Sequence, residues 1–113
     1  MSPAPDPEVV VGEYFHRMHT GGGRVADLFH DDARLVGLGT VVVGRPAIDE
    51  FYARAVAEGR PSPRLLGPLL LGDGRVAAEI AIGLADGSEL HVCDLFEVAD
   101  GRIRSLTYFV ADH

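Results

Sequence analysis

Asp94 is the residue that fits its own segment least. Alternate residues of a strand share a face. In the run Glu89 to Val98 this puts Leu90, Val92, Asp94, Phe96 and Val98 on one side, with Glu89, His91, Cys93, Leu95 and Glu97 on the other. The first set is apolar except for Asp94 and must face the core. A buried carboxylate without partners is costly, so Asp94 is expected to be protonated, hydrogen-bonded or in a wet pocket. As a structural residue it would be tied to backbone donors. As a functional one it would line a site, because burial with a shifted pKa marks site residues. The chemistry open to it is proton transfer.

The other reactive side chains do not converge. His16 and His19 are three apart on a helical segment, but the rotation that buries Tyr14 and Met18 leaves both outside. His30 is expected at a helix end and His113 lies on the tail, so no set of three forms a metal centre. His91 and Cys93 share the outer sheet face, where a Cys–His pair has no cleft to work in. Asp31 and Asp32 read as capping and turning residues. No metal and no cofactor are expected.

The elements that must position Asp94 follow from periodicity and turn residues. Asp6 reads as an N-cap before Pro7 and Glu8, and Val10, Tyr14 and Met18 recur every four residues on one buried face. The run Gly21-Gly22-Gly23 ends this helix, and a short second helix spans about Arg24 to Phe29. Ala33 to Leu38 and Val41 to Val43 read as strands. Pro46 opens a third helix with Ile48, Phe51, Tyr52 and Ala55 inward, closed by Gly59 and Pro61. Arg64 to Leu71, Arg75 to Leu84, Glu89 to Val98 and Ile103 to Val110 then read as strands, separated by Asp73-Gly74, Asp86-Gly87 and Asp100-Gly101. Such pairs between apolar runs are hairpin signals. Helices first and an antiparallel meander afterwards give an α+β fold. In the Arg75 to Leu84 strand, Ala78, Ile80, Ile82 and Leu84 face inward, so Ile80 and Ile82 join Val92 and Phe96 around Asp94.

At 113 residues the chain is one domain, spanning 7–113 behind a disordered proline-rich tail at 1–6. A net charge of −7 without a Lys/Arg cluster argues against nucleic acid and anionic membranes. The first residues lack the basic and apolar regions of a signal peptide, and no apolar run reaches bilayer length. One cysteine, Cys93, fits a reducing, cytoplasmic setting.

Several of these segments together resemble a known family. Val10-Val11-Gly12-Glu13-Tyr14, Leu28-Phe29-His30-Asp31-Asp32-Ala33, Gly44-Arg45-Pro46-Ala47-Ile48-Asp49-Glu50-Phe51-Tyr52 and Asp94-Leu95-Phe96 are similar to the ketosteroid isomerase and SnoaL-like polyketide cyclase branch of the NTF2-like superfamily. The resemblance implies a cone of three N-terminal helices packed on a strongly curved antiparallel sheet with an apolar interior. It implies that Tyr14 and Asp94 donate hydrogen bonds to a substrate oxyanion and that Tyr52 supports the hydroxyl network. A carboxylic acid kept neutral by an apolar site is a documented feature of such isomerases. Aligning the last strand puts Leu106, Tyr108 and Val110 inward, with Tyr108 where the isomerases carry a small residue. The general base of the isomerases aligns with Gly37, so this chain carries the oxyanion donors without that base. In the cyclases a histidine and an aspartate cooperate, which here would require a bulge to bring His91 inward.

The expected function is an isomerase or cyclase acting on a small hydrophobic carbonyl compound through a stabilised enolate. Tyr14 and Asp94 are its catalytic residues. Met18, Tyr52, Ile80, Ile82, Val92, Phe96, Leu106 and Tyr108 form its substrate pocket. Epoxide hydrolysis is less well supported, because it needs a second carboxylate. The alternative is a non-catalytic small-molecule-binding protein, favoured by the missing base. The outer sheet face around Ala81, Gly83, Cys93 and Leu95 is expected to form a homodimer.

Overall fold

The computed structural model describes residues 4–20, 24–37, 39–59, 63–84 and 86–111. The expected signals at Gly21 to Gly23, Leu38, Pro61 and His113 lie outside them. Helix α1 spans Pro7–Thr20, and the Asp6 carbonyl accepts hydrogen bonds from the Val9 and Val10 amides at its start. Pro7 has no amide hydrogen to satisfy there. A 3-10 turn follows at Val25–Leu28, then strands β1 (Phe29–Gly37) and β2 (Thr40–Val43). Helix α2 spans Arg45–Gly59, followed by β3 (Pro63–Leu65), β4 (Leu70–Gly72), β5 (Arg75–Gly83), β6 (Glu89–Ala99) and β7 (Arg102–Val110). No helix among the described residues is long and apolar enough to cross a membrane.

The architecture is α+β, with both helices packed on a curved sheet that does not close. The strand order is β2-β1-β7-β6-β5-β3, and β4 pairs separately with β5. The sheet is mixed rather than wholly antiparallel, because β1 runs parallel to β7. Asp-Gly pairs fix only local hairpins, and no local signal announces that long-range pairing. At the β6–β7 turn, Asp100 and Gly101 both have positive φ, 54° and 77°, which a tight hairpin of this twist requires.

Three further expectations are corrected. The second of the three helices is a single 3-10 turn, too short for an α-helix. The following strand begins at Phe29, so Asp31 and Asp32 lie within β1 instead of capping and turning the chain. Asp31 pairs with Arg45 at 2.7 Å and ties β1 to the start of α2. The segment 64–71 is two strands, separated at Gly67-Pro68, where proline cannot donate to a ladder.

The core lies between the helices and the concave sheet face. Helix α1 lies across β3, β5, β6 and β7 and buries Val10, Val11, Tyr14 and Phe15. Tyr14 meets Phe15 and Phe96 edge-on, each with a centroid distance of 5.1 Å, a favourable aromatic geometry. In β5, Val76, Ala78, Ile80 and Ile82 are buried, whereas Leu84 falls beyond the strand and is exposed. In β7, Ile103, Leu106 and Tyr108 are buried, but Val110 is 44% exposed at the strand end.

Candidate functional site

Alternation in β6 buries Val92, Asp94, Phe96 and Val98 and turns Glu89 and His91 outward. Asp94 is 1% exposed, and neither carboxyl oxygen has a hydrogen-bond partner. Its ladder neighbours are Ala78 on β5 and Tyr108 on β7. Burial pushes its pKa up to about 8; among the described residues no cation faces it to pull the other way. The carboxyl is therefore mostly neutral at pH 7.

Beside it, three tyrosines from three elements meet at their hydroxyls. The Tyr14 hydroxyl on α1 lies 2.8 Å from that of Tyr52 on α2 and 3.2 Å from that of Tyr108 on β7. Tyr52 and Tyr108 close the triangle at 2.9 Å. Burial, reinforced by the neighbouring phenols, holds the Tyr14 and Tyr52 hydroxyls well above their ordinary pKa, and burial raises Tyr108 as well. All three stay protonated and able to donate. Three hydrogens serve three contacts, so a hydroxyl that donates to a guest must release one of its neighbours.

These groups border a cavity of about 170 Å³. Of the expected pocket residues, Tyr14, Met18, Tyr52, Ile80, Ile82, Asp94 and Tyr108 line it. Val92, Phe96 and Leu106 do not. They lie fully buried in the core behind the wall, because inward facing does not distinguish a packed residue from a lining one. Phe51, Ala55, Pro63, Leu84 and Leu90 also line the cavity. Phe51 and Ala55 share the inward face of α2 with Tyr52, a signal that was available. Leu84 and Leu90 flank the β5–β6 turn, and alternation places both on inward faces without marking them as lining residues.

β1 contributes no lining residue among those described. At its end, Gly37 has φ +132°, and a Cβ there would sit 2.7 Å from both the Cβ and the carbonyl oxygen of Tyr108. Real side chains do not approach so closely, so Tyr108 fills the space that a side chain at position 37 would need.

The remaining reactive groups are accounted for elsewhere. His91 faces outward and its Nε2 donates to Glu79 Oε2 at 2.6 Å. His30 lies in β1, not at a helix end, and its Nε2 donates to the Ala99 carbonyl at 2.6 Å. Cys93 is half-buried, and burial raises its thiol pKa, which makes it a poorer nucleophile. No cluster of three metal-ligating side chains occurs among the described residues.

Solved structures share this architecture. A candidate polyketide cyclase from Sinorhizobium meliloti superposes with a TM-score of 0.82 at 19% identity, covering 89% of this chain and 94% of that one. An NTF2-like protein of unknown function from Cytophaga hutchinsonii gives 0.80 at 15% identity, covering 98% and 95%. A candidate ketosteroid isomerase from Kribbella flavida gives 0.81 at 21%, covering 95% and 78%. Identities this low establish the fold alone. No curated protein matches the chain. The SnoaL-like domain family matches residues 11–106, most of the chain's length, and the chain belongs to that family.

Proposed function

We propose that the protein is an isomerase- or cyclase-type enzyme that binds a small hydrophobic carbonyl compound and moves a proton through an enolate. The observation that carries this reading is Asp94: a carboxyl with no protein partner, bordering an apolar cavity. A structural aspartate would be tied to backbone donors, and this one has no hydrogen-bond partner among the described residues. A pKa near 8 suits proton transfer at neutral pH, because a base is most effective when its pKa lies near the working pH. The ionised fraction takes the proton from the carbon beside the carbonyl. A tyrosine hydroxyl, Tyr14 in first place, donates to the oxygen as negative charge develops there. The protonated Asp94 then returns the proton to carbon.

The test uses cyclohex-2-enone in D2O, with deuterium entry beside the carbonyl followed by NMR. The reading expects protein-dependent exchange that Asp94→Asn abolishes while retaining binding, because an amide cannot accept the proton. Partial loss would assign Asp94 the donor role. Unchanged exchange and binding would remove it from the chemistry.

A second reading, non-catalytic binding of the same class of molecule, is favoured by one observation. Gly37 stands where the resemblance expects a general base, and β1 lends the cavity no side chain. Binding of the enone without exchange at any pH would support it.

We further propose a cytoplasmic homodimer through the outer sheet face. A row that is apolar except for Thr107 crosses five strand pairings there: Leu70 with Ala77, Ala77 with Leu95, Leu95 with Thr107, Thr107 with Val36, and Val36 with Val41. Leu70 and Val41 are 65% and 60% exposed. Ala81 is buried and offers no such surface.

A further inference from the structure

The cavity is built from one side of the cone only. Its described walls come from α1, α2, β3, β5, β6 and β7 and from Leu84 just after β5, while β1 and β2 are absent from them. Tyr108 stands at that boundary. Its Cβ and backbone occupy the space that a side chain on Gly37 of β1 would need, and its hydroxyl reaches across the interior to Tyr14 on α1 and Tyr52 on α2. The ring is thus held at both ends. Gly37 leaves it no side chain to compete with, and the two hydroxyls fix its tip.

We propose that Tyr108, seated against Gly37, is the partition that limits the cavity to an uncharged guest about the size of one six-membered ring. The inference rests on the reading of the cavity as a binding site for a small molecule. Size follows from volume: a cavity of about 150 Å³ accepts benzene, and this one measures about 170 Å³. Two fused rings exceed that volume, and Tyr108 is the lining residue that stands between the cavity and β1. Charge follows from the walls. No Lys, Arg or His lines the cavity among the described residues, and the titratable groups facing it are Asp94 and the three tyrosines. An anion would enter without a counter-charge, at a large desolvation cost.

Four probes of graded shape and charge test this by ligand-observed NMR: cyclohex-2-enone, 2-tetralone, cyclohexanecarboxylate and benzene. The wild type is expected to bind cyclohex-2-enone and benzene, at least tenfold tighter than 2-tetralone, and not to bind the carboxylate. Tyr108→Ala should bind 2-tetralone at least tenfold better than the wild type. Tyr108→Leu tests the same loss of a ring with less disturbance of the core. Tyr108→Phe keeps the ring and should keep the size preference, which separates volume from hydrogen bonding. Wild-type protein that binds 2-tetralone as well as the enone would overturn the proposal, as would folded Tyr108→Ala or Tyr108→Leu with the size preference intact. Binding of the carboxylate on a par with the enone would overturn its charge limit. If neither the wild type nor the enlarged variants bind any probe, the binding reading itself falls, and the proposal with it.

Discussion

Gly37 and Tyr108 are fitted to each other across the parallel β1–β7 pairing: a Cβ on Gly37 would lie 2.7 Å from the Cβ and from the carbonyl oxygen of Tyr108. The glycine also sits at φ +132°, which side chains rarely adopt. Gly37→Ala should therefore destabilise the fold. The backbone conformation alone costs about 1–3 kcal/mol, and displacing Tyr108 from a packed core adds to that. Urea unfolding checks this. Equal stability would mean that the two strands separate more easily than their packing implies.

The tyrosine triangle should behave as a coupled unit. Tyr108→Phe removes two of the three hydroxyl contacts, at about 1 kcal/mol each, and leaves the Tyr14–Tyr52 contact in place. Adding Tyr14→Phe should then cost less than Tyr14→Phe does in the wild type, since the 14–108 contact is already gone. A double-mutant cycle by thermal or urea unfolding measures the coupling. Strict additivity would contradict the closed triangle.

Stability should depend on pH through Asp94 in a defined direction. Its pKa is raised from 3.8 to about 8 on folding. Between those values the folded chain holds a proton that the unfolded chain has released, so stability falls as pH rises, by at most about 1.4 kcal/mol per pH unit. Below about pH 4 the contribution is constant, and above about pH 8 the loss is complete. Asp94→Asn carries no such proton. Its stability relative to the wild type should therefore climb from pH 4 to pH 8 and then level off. A flat difference across that range would mean that Asp94 titrates normally.

Oligomeric state checks the outer face. Light scattering should give twice the chain mass at micromolar concentration. Leu95→Glu, which sets a charge in the middle of the cross-sheet row, should shift it to monomer while retaining the fold. A monomeric wild type would remove the dimer.

Much of this molecule was legible in its residues because the signals were local. Asp6-Pro7 marked the start of α1, the three Asp-Gly pairs marked the hairpins, and two-residue alternation placed Asp94 inside. What escaped depends on contacts distant in sequence. The parallel pairing of β1 with β7 has no local marker. Strand β1 runs on through Asp31-Asp32, where Arg45 pairs with Asp31, a contact distant in sequence that a linear reading does not see. Alternation told which residues face inward but not which of them border empty space. Val92, Phe96 and Leu106 pack solidly, while Phe51, Pro63 and Leu90 meet the cavity. Likewise Gly37 reads as a missing functional group in the sequence, whereas in the fold it is the seat of Tyr108.

The proposed reaction requires an Asp94 that exchanges a proton near neutral pH. Carbon-13 labelling of the aspartate carboxyls, with NMR titration from pH 3 to pH 10, measures its protonation directly, and Asp94→Asn assigns the signal. One carboxyl should titrate near pH 8, far from the exposed aspartates, and its midpoint should rise further when cyclohex-2-enone displaces water from the cavity. A midpoint near 4 for Asp94 would contradict the account, because such a group would be solvated or hydrogen-bonded rather than the buried, partnerless carboxyl on which the reading rests.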